Sequence, residues 1–373
     1  MNSIGIITFL HNNNFGSTLQ AYALQKTVTG LGYDCVHLDY RPDSKEKILN
    51  LLRSGNDLKL VMEGLRKRSV QAAQSGARSK AETFTVFYRQ RMRLTAVCRN
   101  RSELKKESGG KDILLCGSDQ IWSPVWLNPV YFLNFAGKEQ KRIAYAASLG
   151  VRQLPEERKI RKIRALLKDF DAVSVREEEG ARLLKEMTGT EAAVMPDPVC
   201  LLSRDDWEAI AETPDCKAPY ILCYFIGESP EYWKRVDELQ RETGMQVVIL
   251  PVTAQSYEKT RYTLADGASP EAFLGYVRNA AAVCTDSFHC SLFTLIFGKM
   301  PCVFRRYRED DPESKNSRID QLFRSLDLTP DQTADPVRLA AALETLRKTG
   351  KAWLTENLGA LSGKTSGAGK AEG

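Results

Sequence analysis

The chain has 373 residues, which at about 150 residues per domain indicates two or three domains. Its 43% hydrophobic and 27% charged residues are typical of an ordinary globular protein and exclude a disordered or fibrous chain. No apolar run reaches the roughly 18–20 residues of a membrane-spanning helix, and the N-terminus lacks the features of a secretory signal.

Strand-like apolar runs alternate with helical periodicity through the first half. Predicted strands are Ile4–Leu10, Cys35–Tyr40, Asp112–Cys116, Arg142–Ser148, Asp171–Val175 and Ala192–Met195. Predicted helices are Ser17–Leu31, Pro155–Phe170 and Glu177–Met187, the first capped by Ser17 or Thr18. Between the second and third strands, residues 45–112 form a basic helical insertion with 17 Lys and Arg against 7 Asp and Glu.

The alternation restarts after a linker at residues 214–219. Predicted strands are Tyr220–Phe225, Gln246–Pro251, Ala281–Thr285 and Cys302–Arg305, and predicted helices are Pro230–Thr243, Pro270–Asn279 and Ser291–Phe297. This pattern favours parallel sheets covered on both faces, in two α/β domains that face each other. Ligands are then expected in the cleft, at the carboxyl ends of strands.

We therefore expect four segments. They are an N-terminal domain at 1–213 that carries the insertion, a C-terminal domain at 219–330, a helical segment at 331–358 and a disordered tail at 359–373.

Cysteine and histidine usage bounds the chemistry. The nine cysteines are odd in number and form no CxxC pair, so we expect reduced thiols in a cytoplasmic protein. With only three histidines, a His-rich metal site is excluded, and no metal-ligand cluster is visible. The basic insertion could attract nucleic acid, but Phe84, Phe87 and Tyr88 stand at helical spacing and indicate a buried stripe instead.

Two loops after predicted strands carry polar residues suited to a ligand. Residues 11–17 (HNNNFGS) turn from the first strand into a helix N-terminus, where free N–H groups bind anions, and the asparagine amides suit sugar hydroxyls. The alternative is a plain strand–helix turn. Residues 116–122 (CGSDQIW) place Ser118, Asp119 and Gln120 beside an aromatic residue, an arrangement that suits a carbohydrate. The alternative is a capping box.

Two further junctions carry Arg176 and His289. Arg176 stands between a strand and a helix, where it could hold a carboxylate or phosphate, or else be an exposed first-turn arginine. His289 lies at the N-terminus of an apolar and therefore buried helix, so it is expected to face the cleft rather than bulk solvent. Imidazole suits proton transfer near neutral pH. The alternative is a core histidine bonded to the backbone.

Together these motifs resemble the polysaccharide pyruvyl transferase family. The matching stretches are NFGSTLQAYALQ (14–25), GSDQIW (117–122), YAASLG (145–150), SVRE (174–177), DPVCLL (197–202), TDSFHCSLFTLIFGKMP (285–301) and NSRIDQL (316–322). The resemblance implies two Rossmann-like domains in a glycosyltransferase-B-like arrangement. It also implies transfer of pyruvate from phosphoenolpyruvate onto two sugar hydroxyls as a cyclic ketal, with release of phosphate.

The resemblance places His289 and Arg176 at the phosphoenolpyruvate site. In this interpretation His289 is the general acid, Asp119 or Asp286 the base, and Arg176 holds the donor. The predicted substrate-binding residues are Asn14, Gly16, Ser17, Ser118, Gln120, Ser148, Ser287 and Arg318. Phosphoenolpyruvate is a co-substrate, and no cofactor or metal is expected.

The expected acceptor is a sugar or lipid-linked oligosaccharide, a precursor of a cell-surface polysaccharide or exopolysaccharide, with no role for nucleic acid. We expect a cytoplasmic enzyme in peripheral contact with the inner face of the membrane. One alternative is a glycosyltransferase that uses a nucleotide sugar. It is weakened because Phe293 stands where such enzymes often carry a ribose-binding carboxylate, five residues before Gly298. Another is a non-catalytic carbohydrate-binding or assembly protein of the same pathway.

Overall fold

Six parallel strands form the first sheet of the computed structural model, which describes residues 2–54, 77–216, 218–306, 317–329 and 335–362. The strands are β1 (Ser3–Ile7), β2 (Asp34–His37), β3 (Ile113–Cys116), β4 (Lys141–Ala147), β5 (Ala172–Val175) and β6 (Ala193–Val194). Their order across the sheet is β2-β1-β3-β4-β5-β6. Strand β3 is apolar along its whole length, and β1 and β4 are apolar after their first one or two residues, as expected for strands of a sheet that is covered on both faces.

The helices of this half follow the predicted alternation. They are α1 (Phe15–Gly30), α2 (Ser44–Ser54), α3 (Ala77–Arg91), α4 (Arg101–Ser108), α5 (Glu157–Leu167) and α6 (Glu178–Thr188). The expected cap of α1 is wrong. The side chain of Asn14, not Ser17 or Thr18, accepts the capping bond, from the Ser17 N–H at 3.1 Å, because the helix begins at the buried Phe15.

The described part of the insertion is not one continuous helix. Residues 92–100 leave the helical conformation, and Leu94 and Cys98 make isolated bridges with the chain at and beyond β2. Residues 55–76 of the predicted insertion lie outside the described residues. Phe84, Phe87 and Tyr88 of α3 are buried, which confirms the predicted apolar stripe.

Five parallel strands form the second sheet, in the order β11-β10-β7-β8-β9. They are β7 (Tyr220–Tyr224), β8 (Gln246–Ile249), β9 (Thr263–Leu264), β10 (Ala282–Thr285) and β11 (Cys302–Val303). The helices around it are α7 (Arg204–Glu208), α8 (Pro230–Thr243), α9 (Ala254–Tyr257), α10 (Pro270–Asn279), α11 (Phe288–Ile296) and α12 (Ser317–Ser325). Helix α11 begins three residues before its predicted start, so His289 lies in its first turn.

The last described helix returns to the first sheet. Helix α13 (Pro336–Ser362) buries Leu354 and Leu358 in the core beside β1 and β3. It extends through residue 362, so the predicted tail starts too early; residues 363–373 lie outside the described residues. None of the described helices is long and apolar enough to cross a membrane.

The two sheets share one core at their border. Phe15 of α1 stacks on Phe273 of α10 with ring centroids 4.6 Å apart, and Phe273 contacts Phe293 of α11. This packing fixes the start of α1 against α11 through Phe273.

Candidate active site

Four neighbouring strands of the first sheet end in polar residues. Asp119 follows β3, Ser148 follows β4, Arg176 follows β5 and Asp197 follows β6. Because these strands are parallel, their carboxyl ends lie along one edge of the sheet. All four residues are buried.

His289 reaches this edge from the second half of the chain. Its Nε2 lies 3.3 Å from Asp197 Oδ2, and its side chain is 10% exposed. The imidazole lies over Gly16 in the first turn of α1. A Cβ added at Gly16 would lie 2.7 Å from the Cβ of His289 and closer still to its ring. Gly16, predicted to bind substrate, therefore has a steric role: it leaves the space that His289 occupies.

Arg176 is buried rather than exposed, which overturns the alternative of a solvated first-turn arginine. Its Nη1 donates to Asp197 Oδ2 at 2.7 Å, and its Nε donates to Glu177 Oε1 at 3.1 Å. The remaining nitrogen, Nη2, is buried without a hydrogen-bond partner. Burial acts to lower the pKa of Arg176, but Glu177, Asp197 and Asp119 outweigh it and raise that pKa.

Asp197 joins the arginine and the histidine, and sequence reasoning does not single it out. Burial would raise the pKa of its carboxyl, but His289 and Arg176 together hold that pKa well below its usual range. Two signals are available in the sequence: Asp197 follows a predicted strand, and it is the first residue of DPVCLL (197–202), one of the stretches that resemble the family. Asp197 is therefore an anion that orients both His289 and Arg176.

Asp119 is a second carboxylate beside this cluster. It accepts a hydrogen bond from Ser17 Oγ at 2.5 Å and one from the N–H of Gln120 at 2.8 Å. Burial acts to raise the pKa of Asp119, but His289 and Arg176 outweigh it and leave the pKa below its usual value. Its backbone is left-handed, with φ at +70°. The site therefore brings together Gly16, Ser17, Asp119, Arg176 and His289 of the predicted residues.

Ser118 and Gln120 differ in what they can offer a ligand. Ser118 is fully buried and donates to the Ala146 carbonyl at 2.5 Å, so its hydroxyl supports the backbone. Gln120 Nε2 is buried without a hydrogen-bond partner. That amide packs against Gly150, where φ is +63° and any Cβ would displace it.

Three other residues predicted to bind substrate make hydrogen bonds within the protein instead. Asn14 and Ser287 cap α1 and α11 through their side-chain oxygens. Ser148 Oγ donates to Glu177 Oε1 at 2.8 Å and is fully buried. Ser148 therefore fixes the carboxylate that Arg176 also binds.

Asp286 does not suit the predicted role of a base. Its Oδ1 accepts from the N–H of Ile226 at 2.7 Å, and its Oδ2 accepts from the N–H of Gly227 at 2.7 Å. Oδ2 also pairs with Arg306 Nε at 3.1 Å, and the side chain is 0% exposed. These bonds tie the end of β10 to the loop after β7 and leave the carboxylate closed to substrate.

Arg318 of α12 adds a second guanidinium to the site. Burial lowers its pKa to about 10, and Arg176, Glu177 and Asp119 act on it electrostatically. Its Nε is buried without a hydrogen-bond partner, and the described residues include no ion-pair partner for it. Arg176 and Arg318 thus each present an unpaired buried nitrogen beside the same carboxylates.

The described residues hold no group of three His, Cys, Asp or Glu side chains placed to bind a metal ion. All nine cysteines are free thiols, and seven of them are buried.

Comparison with protein families matches residues 14–306 to "Polysaccharide pyruvyl transferase". The chain belongs to this family. A comparison with curated proteins finds no match.

Solved structures share the fold at low sequence identity. A UDP-N-acetylglucosamine 2-epimerase from Rickettsia bellii is similar with a TM-score of 0.52 and 10% identity, covering 99% of each chain. Another UDP-N-acetylglucosamine 2-epimerase is similar with a TM-score of 0.50 and 12% identity, covering 100% of this chain and 99% of that one. The two parallel sheets are thus arranged as in glycosyltransferase-B-like proteins, which confirms the predicted fold class.

Proposed function

We propose that the site transfers pyruvate from phosphoenolpyruvate to two hydroxyls of a sugar, as a cyclic ketal, and releases phosphate. The observation that supports it is a pair of buried guanidinium nitrogens without a hydrogen-bond partner, Arg176 Nη2 and Arg318 Nε. Arg176 bonds Asp197, the carboxylate that His289 also contacts, and Arg318 is close enough to Arg176 to act on it electrostatically. Family membership supplies the pyruvyl transfer.

The donor has two anionic groups, and two arginines converge on the site. An arginine buried without an ion pair carries a desolvation cost that a bound anion removes. A guanidinium also binds carboxylate or phosphate through parallel N–H groups, which orients the ligand. Among the described residues no carboxylate bonds Arg318, so it is the stronger candidate for direct contact with the donor. Arg176 is divided between Asp197, Glu177 and the donor.

His289 is the proposed acid. It gives a proton to the methylene carbon of phosphoenolpyruvate, and a sugar hydroxyl oxygen bonds to C2 as that hydroxyl loses its proton. The bond from C2 to the phosphate oxygen then breaks, and the second hydroxyl oxygen bonds to C2 with loss of its own proton. The products are the ketal and phosphate. Asp197 positions His289 through its contact with Nε2, as a carboxylate does for a catalytic histidine.

The acceptor side is proposed to lie under the basic insertion. Helix α2 exposes Ile48 (57%) and Leu52 (68%), with Lys45 and Lys47 also exposed on the same helix. Basic and apolar side chains together suit an anionic membrane surface or an anionic, lipid-linked glycan. A cytoplasmic enzyme at the inner membrane face would meet such an acceptor. Added salt should then weaken acceptor binding more than phosphoenolpyruvate binding.

Arg318→Gln offers the sharpest test of donor binding. A hydrogen bond to a charged group contributes about 1.5–3 kcal/mol, so affinity for phosphoenolpyruvate should fall about 10–100-fold. Since Arg318 has no ion-pair partner among the described residues, its loss should leave Tm unchanged or raise it. Arg324→Gln is the matched control, because Arg324 lies on the same helix and is exposed.

The experiment measures phosphoenolpyruvate binding by calorimetry, and phosphate release with simple and lipid-linked glycosides. Equal affinity in Arg318→Gln, Arg324→Gln and the unaltered protein would remove the basis of the donor site. Sugar transfer from a nucleotide sugar without phosphoenolpyruvate would overturn the proposed reaction.

A further inference from the structure

A second histidine–carboxylate pair lies at the carboxyl edge of the first sheet, outside the cluster around His289. His11 is in the loop between β1 and α1, and Asp39 follows β2. His11 Nε2 lies 2.7 Å from Asp39 Oδ1, with side-chain exposures of 20% for His11 and 4% for Asp39. Strands β1 and β2 are neighbours, and β1 also pairs with β3, whose loop carries Asp119. The pair therefore lies along the same edge as the donor site.

Asp39 is held as an anion. Arg41 Nε donates to its Oδ1 at 2.8 Å, and Arg41 Nη2 donates to its Oδ2 at 2.7 Å. Burial acts to raise the pKa of Asp39, but His11 and Arg41 outweigh it and lower that pKa. An ionised Asp39 accepts a hydrogen from Nε2 of His11, so a neutral imidazole keeps its lone pair on Nδ1. No described residue makes a hydrogen bond to Nδ1, and the side chain reaches solvent.

The loop that carries His11 is fixed in an unusual conformation. Both His11 (φ +59°) and Asn13 (φ +52°) are left-handed, a region that few non-glycine residues adopt. The N–H of His11 donates to Tyr88 Oη at 3.1 Å, and Tyr88 Oη lies 2.7 Å from Thr18 Oγ1. The His11 ring also contacts the Tyr88 ring, with centroids 4.6 Å apart. The imidazole is held by Asp39 and the Tyr88 ring, and the backbone of His11 is held by Tyr88 Oη, so the side chain is preorganised rather than free on the surface.

We propose that His11 is the general base that removes the proton from the attacking sugar hydroxyl, with Asp39 as its positioning residue. This rests on the proposed function, and it assigns the acceptor to the part of the edge between His11 and His289. The same loop links the two groups: five residues after His11, Gly16 lies against His289. A sugar bound over this loop would present its hydroxyl between the acid and the base.

Neither of the two aspartates predicted from the sequence as the base, Asp119 and Asp286, suits this role. Asp286 is bonded to two backbone N–H groups and to Arg306. Asp119 has a lowered pKa and is bonded to Ser17 and Gln120, so it is a weak proton acceptor at neutral pH. Imidazole has the basicity that the step needs.

The proton balance is simple. As the hydroxyl oxygen bonds to C2, its proton moves to Nδ1 of His11, and His289 gives its proton to the methylene carbon. His11 is then an imidazolium beside Asp39 and Arg41, and it returns the proton to solvent or to the departing phosphate. The second hydroxyl loses its proton to solvent as its oxygen bonds to C2, and His289 regains a proton from solvent before the next cycle.

The test compares His11→Gln, Asp39→Asn and Tyr88→Phe in the full chain. His11→Gln should lower kcat about 10²–10³-fold, as removal of a general base does, and leave phosphoenolpyruvate affinity within about twofold. Asp39→Asn should lower kcat less and shift the acidic limb of the pH profile to lower pH, because the imidazole loses its anionic partner. Tyr88→Phe removes the tie to the loop but keeps the His11–Asp39 pair, so it should lower Tm with a small effect on kcat.

The pH profile separates catalysis from a structural tie. The titratable or charged groups that face the His11 ring are Asp39 and Arg41 beyond β2 and Tyr88 on α3. The acidic limb of kcat/KM should disappear in His11→Gln. If His11→Gln keeps kcat within about threefold, or lowers Tm as Tyr88→Phe does with an unchanged pH profile, the base assignment is wrong. Loss of donor binding in His11→Gln would also overturn it. If the unaltered protein fails to release phosphate from phosphoenolpyruvate, the proposed function fails and the assignment of the base falls with it.

Discussion

Gly16→Ala should damage the active site through a single added methyl group. Gly16 is in the first turn of α1, where its backbone conformation accepts alanine, so the effect comes from the neighbour alone. The new Cβ would lie 2.7 Å from the Cβ of His289 and closer to its ring. Carbon atoms in van der Waals contact lie about 3.5–4.0 Å apart, so the first turns of α1 and α11 must separate by about 1 Å.

The magnitude follows from that displacement. A shift of about 1 Å in a catalytic group can lower the rate about 10²-fold, so kcat/KM for phosphate release should fall by at least that factor. The added group also overpacks a buried interface, which costs about 1–3 kcal/mol, while alanine regains about 1 kcal/mol of helix propensity. The free energy of unfolding should therefore fall by up to about 2 kcal/mol.

Gly30→Ala is the matched control, because Gly30 ends the same helix and nothing lies within 4 Å of its added Cβ. It should leave kcat/KM unchanged and stabilise the fold by up to about 1 kcal/mol. In a His289→Gly background the obstructing side chain is gone, so Gly16→Ala should add no further loss of stability. Urea unfolding and phosphate release measure the two effects. If Gly16→Ala behaves like Gly30→Ala in both assays, His289 does not occupy the space over Gly16.

Three further outcomes are expected. His289→Ala should abolish phosphate release and also lower Tm, because it removes a buried side chain and leaves the buried Asp197 without one of its partners. Arg176→Lys should weaken phosphoenolpyruvate binding, measured by calorimetry, since one ammonium cannot reproduce the planar guanidinium that bonds Asp197 and Glu177. His37 is fully buried, and burial lowers its pKa to about 4. As the pH falls, His37 is therefore protonated near pH 6.5 in the unfolded chain but stays neutral in the folded chain until about pH 4. Protonation thus favours the unfolded chain, and the free energy of unfolding should fall by ~2 kcal/mol between pH 7.5 and 5. Urea midpoints should show that loss in the unaltered protein and a smaller one in His37→Gln.

The order of strands and helices could be predicted because most of the strands are buried on both faces. An all-parallel sheet needs apolar residues at successive positions, and such runs separate clearly from the periodicity of helices such as α8 and α10. Strand β9 has two residues, Thr263 and Leu264, and a segment that short has no periodicity to detect. The break between α3 and α4 has a tertiary cause, because Leu94 and Cys98 bridge to His37 and Tyr40 and hold residues 92–100 in a non-helical conformation.

The candidate site could be predicted where a local pattern marks it. His289 stands at the start of an apolar helix, and Arg176 stands at a strand–helix junction, so both are visible in the sequence. The partners of Asp197 are Arg176, 21 residues away, and His289, 92 residues away. No local sequence pattern indicates either contact. Asp286 and Ser118 show the opposite error. Aspartate and serine bind backbone groups as readily as they bind ligands, so a polar residue after a strand does not by itself indicate a ligand.

The position of the basic insertion follows the same logic as the donor site. Residues from the ends of β3 to β6, together with α11 and α12, surround the unpaired nitrogens of Arg176 and Arg318. The loops after β1 and β2 carry His11 and Asp39, and the insertion starts at residue 45, a few residues beyond Asp39. Under the proposed function, changes in the insertion alter acceptor binding without disturbing the donor cluster. The reason is that the acceptor residues follow β1 and β2, whereas the donor residues of the first sheet follow β3 to β6. The loop between β1 and α1 joins them, so a change at Gly16 or His11 acts on both halves of the reaction.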